Sequence, residues 1–251
     1  MELNLFFPKS DHERICAQAG DFWAKEMIGI SLLFIFLAFS WAAVVPGSFQ
    51  ADGPKSKKAI ALTFDDGPGL FTAQVLDVLD QYKVKATFFM NGDQVQIRPQ
   101  MALEVVRRGH QVGDHTWSHR NFYSFEKNHG TEKTRSAVRE EIRKSKELIE
   151  STLKISLKLC RMPHGYHRPW MKEVAKEYGY ALVNWTFGED WLKISEEKMI
   201  EDYLAQVRPG AILLFHDGGK DREKTLKILP KVIEKSRERG LKIVTVGELL
   251  E

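Results

Sequence analysis

The sequence predicts an α/β domain with a parallel sheet and helices outside it. Two observations carry that prediction. Short apolar runs alternate with longer segments of helical spacing from residue 59 to the C-terminus. One local unit also recurs three times, as Arg108-Gly109-His110-Gln111-Val112, Tyr178-Gly179-Tyr180-Ala181-Leu182 and Arg239-Gly240-Leu241-Lys242-Ile243. In each, a helix ends, glycine takes the left-handed cap position and a strand begins at once. Repeated helix–glycine–strand units imply parallel strands joined by helical crossovers. The units share no fixed period, so the chain is not a solenoid. A barrel and a doubly wound sheet both fit the pattern, and either puts functional residues at the C-terminal ends of strands.

The elements follow in order. Strands are expected at residues 59–64, 86–90, 157–162, 180–185, 211–215 and 241–244, with a short segment at 111–113. Helical spacing runs over 72–82, with Val75, Leu76, Val78 and Leu79 facing in, and over 101–108, ended by Gly109. A long amphipathic helix is expected from Thr131 to about residue 152, with Val138, Ile142 and Ile149 on one face and Thr131 as its cap. Residues 48–58 are small, polar and basic and read as a linker.

Composition bounds the function. With 43% hydrophobic and 28% charged residues, the chain is ordinary for a globular enzyme. A net charge of +3 gives no support for a nucleic-acid partner. The two cysteines, Cys16 and Cys160, cannot make a disulfide framework.

Residues 28–45 form an uncharged apolar run of eighteen, near the minimum for a membrane-spanning helix. Pro46 and Gly47 end it. Ser40 and Ala42 suit a cleavage site, and Trp41 suits an interfacial belt. Lys9, Arg14 and Lys25 on one side balance Lys55, Lys57 and Lys58 on the other, so flanking charge does not decide the orientation. The reading favours a retained anchor over a cleaved signal. The domain plan is a leader at 1–26, a signal-anchor or signal peptide at 27–46, a linker at 47–57 and a catalytic domain at 58–251.

Polar residues collect where the fold class says they should. Asp65-Asp66-Gly67-Pro68 follows the first strand and His216-Asp217-Gly218 follows 211–215. The strand at 157–162 contains Arg161 and runs into Pro163-His164-Gly165. The strand at 180–185 leads to Glu189-Asp190-Trp191, and 111–113 leads to Asp114-His115 and then His119. Two adjacent carboxylates in a half-buried site call for a cation to offset their repulsion. Asp66, His115 and His119 can supply one carboxylate and two imidazoles, with the histidines expected on one side of a helical turn. Two nitrogens, one carboxylate and an open position describe a catalytic zinc site.

These residues resemble the motifs of the polysaccharide deacetylases, the NodB-homology domains of carbohydrate esterase family 4. Thr63-Phe64-Asp65-Asp66-Gly67-Pro68 matches the first motif, and His115-Thr116-Trp117-Ser118-His119 resembles the second. Arg161-Met162-Pro163-His164-Gly165 resembles the third, Asp190-Trp191 the end of the fourth and Leu213-Leu214-Phe215-His216-Asp217 the fifth. The match runs from about Lys58 to the C-terminus, and the first two motifs are its most specific part.

The resemblance implies a distorted, incomplete (β/α) barrel, here preceded by one N-terminal transmembrane or signal helix. It implies a divalent metal, zinc first and cobalt second, and hydrolysis of an N-acetyl group from an amino sugar. By the same resemblance Asp66, His115 and His119 hold the metal, Asp65 is the general base, His216 the general acid, Arg161 orients Asp65 and Asp190 tunes His216. The third-motif loop is expected to offer a backbone donor to the oxyanion, so that His164, Gly165 and Trp191 fall on the substrate side.

Two departures stand out: His164 replaces the usual aromatic, and Phe187 stands where the fourth motif carries an earlier aspartate. His164 and His167 read as solvated loop histidines. Peptidoglycan N-acetylglucosamine is the favoured substrate, with chitin-like, exopolysaccharide or lipid-linked sugars as alternatives. A non-catalytic glycan-binding module of the envelope is the alternative of another class. The expected partners are the polysaccharide and, through residues 28–45, a membrane. No protein partner can be inferred. The catalytic domain is expected outside a single-pass anchor or secreted to the envelope.

Overall fold

A computed structural model describes residues 44–251. The apolar run expected to meet the membrane lies outside the described residues, apart from Val44 and Val45. Among the described residues, no helix is long and apolar enough to cross a membrane.

Eight strands form one sheet in which every pairing is parallel. They are β1 (Phe49–Gln50), β2 (Ala59–Gly67), β3 (Thr87–Met90), β4 (Gln111–Asp114), β5 (Leu159–Cys160), β6 (Ala181–Val183), β7 (Ile212–His216) and β8 (Lys242–Val244). Their order is β1-β6-β5-β4-β3-β2-β7, with β8 attached to the start of β2. The sheet curls round so that the segment after β6 meets β7. Just past β6, Phe187 bridges Leu213 of β7 in parallel, with Thr186 N–H donating to Ile212 O and Leu214 N–H to Phe187 O, both at 2.8 Å. The strands β2 to β7 therefore run round a circuit that a single bridge closes. This resolves the choice between barrel and open sheet in favour of a distorted barrel with fewer than eight units.

The period of two along β2 explains both its stability and its function. Ile60, Leu62 and Phe64 face outward into the large core shared with the helices, and all are fully buried. Ala59 and Ala61 face the smaller inner cluster with Phe89, Leu159, Val183 and Ile212. Thr63 and Asp65 continue that inner face. The interior of the circuit is thus apolar at its base and becomes charged at its C-terminal end. Outside, Val75, Leu76 and Leu79 of the helix Thr72–Gln81 and Val138, Ile142 and Ile149 of the helix Thr131–Leu153 are buried as expected. Each such side chain contributes about 1.5–3 kcal/mol of burial.

The three glycine caps are present. Gly109, Gly179 and Gly240 have φ of 77°, 73° and 65°, and β4, β6 and β8 start two residues later. Other expectations need correction. The polar stretch read as a linker contains β1, where Phe49 pairs with Leu182 and Gln50 with Val183. A two-residue strand has no periodicity to announce it. The strand expected at 157–162 shrinks to Leu159–Cys160, although the Arg161 N–H still donates to Asp114 O at 2.8 Å. Helices at Gly92–Ile97 and Phe122–His129 are too short for a clear pattern in the sequence. Thr131 does not cap the long helix. Gly130 is the N-cap at φ 80°, and the Thr131 hydroxyl goes to Glu126 at 3.2 Å.

Candidate active site

Asp65 and His216 are register partners on β2 and β7. Asp65 is 2% exposed, and the fully buried Arg161 reaches it from the end of β5. The Arg161 Nη1 donates to Asp65 Oδ1 and to Thr63 Oγ1, each at 2.8 Å. Its Nε donates to Val183 O at 3.1 Å and its Nη2 to Asn184 O at 2.9 Å. Four acceptors fix the guanidinium, and the guanidinium fixes the rotamer of Asp65. The expected pairing of Arg161 with Asp65 is what the structure contains.

Asp66 follows with φ 69°, which turns its carboxylate away from that of Asp65. The Asp66 Oδ1 lies 3.4 Å from His115 Nε2 and 3.2 Å from His119 Nε2. The three donor atoms fall within 4.8 Å of one another. His115 and His119 do not meet through a helical turn, as their spacing suggested. They sit on a loop after β4 in which Thr116 (φ 66°) and His119 (φ 54°) are left-handed. The His115 Nδ1 is 2.7 Å from the Arg161 carbonyl. A carbonyl only accepts, so Nδ1 carries the proton and Nε2 presents its lone pair.

Two features fit this triad to a divalent cation. Asp66 Oδ1 is buried and has no hydrogen-bond donor, a costly state for a carboxylate oxygen. Its neighbours are imidazole nitrogens, one already fixed as a lone-pair donor. Burial works to raise the Asp66 carboxyl, but the His115 and His119 rings more than offset it and hold it far below the usual carboxylate range. Burial, helped by repulsion from His115 and His164, lowers His119 to about 4, so its ring is neutral near pH 7. Carboxylate and imidazole donors of this kind are a zinc-type set.

On the other side, Asp190 grips His216 twice. Its Oδ1 is 2.7 Å from His216 Nδ1, and its Oδ2 accepts the His216 backbone N–H at 2.8 Å. Thr225 donates to the same Oδ2 at 2.6 Å. Burial alone would lower the His216 pKa, but the Asp190 carboxylate outweighs it and raises it. Phe187, at the place of the missing earlier aspartate, packs edge-on against Tyr203 at 5.1 Å. Tyr203 in turn donates to Leu214 O at 2.6 Å and accepts from Glu189 N–H at 3.1 Å, which ties the Asp190 segment to β7.

Asp65, Asp66, His115, His119 and His216 line one cavity of about 370 Å³. His164 and Trp191 line it too, as expected. Gly165 does not: its N–H donates to Met162 O at 3.1 Å, and its carbonyl faces the Tyr123 hydroxyl at 3.3 Å. Its value is conformational, since φ is 65° and an added Cβ would stand 3.0 Å from the Trp185 ring. Of the two histidines expected to be solvated, His164 is exposed and His167 is half-buried. The His164 ring is 4.7 Å from that of His119, and His167 packs on Phe49 at 4.1 Å.

Trp185, Leu214 and Arg222 complete the cavity wall. Leu214 was legible, because it lies one strand period before His216 on the same face. Arg222 had no local signal. Asp217, next to His216, is a further buried acid. It is fully buried beneath Gly67, where an added Cβ would stand 2.4 Å from its carboxylate, and it bonds the Thr72 hydroxyl.

The site has an imidazole held by one carboxylate and a second carboxylate held by a guanidinium, next to a cation triad. These are the parts of a hydrolase that must activate water and protonate a poor leaving group. The profile of the family described as polysaccharide deacetylase matches residues 52–183. A peptidoglycan-N-acetylglucosamine deacetylase of Bacillus cereus is 38% identical over 201 residues, covering 78% of this chain and 90% of the relative. A chitooligosaccharide deacetylase of a Bradyrhizobium species is 31% identical over 206 residues, covering 76% and 90%. Among solved structures, a peptidoglycan N-acetylglucosamine deacetylase crystallised with a benzamide superposes with a TM-score of 0.74 at 30% identity, covering 84% of this chain and 96% of the other. A pseudoenzyme of carbohydrate esterase family 4 from Bacillus anthracis gives 0.71 at 25%, covering 82% and 69%. The chain belongs to the polysaccharide deacetylase family, hydrolases of amide bonds in glycans.

Proposed function

We propose that this chain is a divalent-metal-dependent deacetylase that removes the acetyl group from N-acetylglucosamine in peptidoglycan. The observation that carries the metal is the buried, donor-free Asp66 Oδ1 between two imidazole nitrogens. Support for the substrate comes from the relatives named above and from a cavity of about 370 Å³, a volume that accepts a sugar with its acetamide.

Asp66, His115 and His119 would hold one ion, zinc first and cobalt second. Bound there, it supplies Lewis acidity toward the acetamide carbonyl and makes water a better proton donor. Asp65 takes the water proton, with Arg161 holding its carboxylate in one rotamer. His216, protonated because Asp190 favours its charged form, passes a proton to the departing amine. An amine leaves poorly as an anion, so the acid is as necessary as the base. Trp191, edge-on to His216 at 5.2 Å, gives the sugar a face to pack on.

Residues 28–45 would deliver this domain across a membrane as an anchor or a cleaved signal. Cell fractionation with mass spectrometry of the N-terminus tests this: a cytosolic pool alone would refute delivery, and a start just after residue 42 would favour cleavage.

The activity test is acetate release by the full chain from chitooligosaccharide and from peptidoglycan. It is run with chelator and then with zinc or cobalt restored. Acetate that disappears with chelator and returns with metal supports the reading. No acetate from either polymer, with metal bound, would refute it.

A further inference from the structure

Two further hollows open off the reaction cavity. One, of about 410 Å³, shares Trp191 and Arg222 with it, and the other, of about 460 Å³, shares Asp66 and His119. Lys220 lines both, so the three make one trough with the reaction cavity in the middle. Trp191 marks where the first hollow begins, and it is 44% exposed despite its size. An exposed aromatic on the lip of a polar trough is a surface for a sugar ring.

The charge on that lip is one-sided. Lys193, Lys220, Arg222 and Lys224 line the hollow beside Trp191, against two carboxylates, Asp190 and Asp221. Asp190 is already committed to His216. The half-buried cations are held by carbonyls, Arg222 Nε by Gly218 O at 2.9 Å and Lys224 Nζ by Ile194 O at 2.6 Å. A carbonyl orders a cation without neutralising it, so the positive field remains for a ligand. Among the described residues, no carboxylate lies within ion-pair distance of Lys193, Lys220 or Arg222. A neutral N-acetylglucosamine polymer gains nothing from this field.

We propose that this rim is a subsite for a carboxylate on the sugar next to the one being deacetylated. In a peptidoglycan strand that neighbour is N-acetylmuramic acid. Its 3-O-lactyl group carries either a free carboxylate or a stem peptide with carboxylates of its own. The proposal rests on the deacetylase reading and adds the feature that separates an anionic glycan from a neutral one. Trp191 packs on the ring and the cations hold the acidic substituent, which sets the register of the strand over His216 and the triad.

The test measures kcat/KM for acetate release by the metal-loaded full chain on three substrates. These are chitotetraose, a muropeptide-derived tetrasaccharide with free lactyl carboxylates, and the same glycan bearing stem peptides. Wild type is compared with K193E/K220E and with the milder K193Q/K220Q, at about 0.02 M and about 0.5 M salt. The expected result is a fall of about tenfold, at low salt, in the preference for an anionic substrate over chitotetraose in the charge-reversed variant. The glutamine variant should fall between, and high salt should erase the difference. A larger fall on the free lactyl glycan assigns the subsite to the lactyl carboxylate, and a larger fall on the peptide-bearing glycan assigns it to the stem. An unchanged preference at low salt would overturn the proposal while leaving the deacetylase reading intact. No acetate from any substrate with wild type would overturn both.

Discussion

Asp190→Asn isolates the one pair that the sequence placed least firmly. In the native site Asp190 Oδ2 accepts from two donors, the His216 backbone N–H and the Thr225 hydroxyl, while Oδ1 faces His216 Nδ1. An asparagine has one oxygen, and the two donors claim it. The amide NH2 is then turned toward Nδ1, which must become an acceptor. The imidazolium that donates a proton to the leaving amine now meets a donor where it had a carboxylate. Asp190 is 3% exposed, so water does little to screen the loss. A hydrogen bond to a charged group contributes about 1.5–3 kcal/mol, which corresponds to a fall in kcat of about 10- to 100-fold near neutral pH. The direction with pH follows as well. Burial lowers the His216 pKa and Asp190 raises it, so without the carboxylate the alkaline limb of the kcat profile moves to lower pH. The assay is acetate release from chitooligosaccharide across pH, with metal content measured on the same samples. A variant that keeps wild-type kcat and an unmoved alkaline limb would refute the reasoning.

Asp65→Asn should reduce kcat by about a hundred- to ten-thousandfold while metal stoichiometry holds, because Asp65 lies outside the triad; loss of metal in that variant would contradict the assignment. His115→Ala should lose metal and activity together, and full occupancy by elemental analysis would count against it. Arg161→Met should cost about 3–5 kcal/mol in urea denaturation, since Asp65 would be left buried without its partner, and Asp65→Asn added to it should recover part of that loss. A double variant no more stable than the single would show that the guanidinium matters for packing alone. His110, 5% exposed and accepting the Ala86 N–H at 3.2 Å, is held by burial to about 4. Its neutral form stabilises the fold above pH 6.5, and that contribution is lost as pH falls toward 4. His110→Asn should flatten this part of the stability profile, and an unchanged slope would place the cause elsewhere.

The sequence by itself determined the parallel α/β class, because helix ends, glycine caps and strand starts are local events written within five residues of one another. It also pointed to the residues at the strand ends, for a related reason. Strands of a parallel sheet deliver whatever follows them to one end of the fold, so Asp65, Asp66, His115, Arg161 and His216 had to approach one another once the strands were placed. The spacing of His115 and His119 was visible, but its geometry was not. Two left-handed residues, rather than a helical turn, bring the rings together. Tertiary structure alone decided whether the strands closed, because one bridge between Phe187 and Leu213 leaves no periodic trace. It alone showed that β1 pairs with β6, since two residues are too few for a pattern. It alone brought Arg222, Lys220 and Thr225 to the site, and gave Asp190 its two contacts with His216. Those contacts span 26 or more residues, and their partners are chosen by where loops come to rest rather than by anything in the neighbouring sequence.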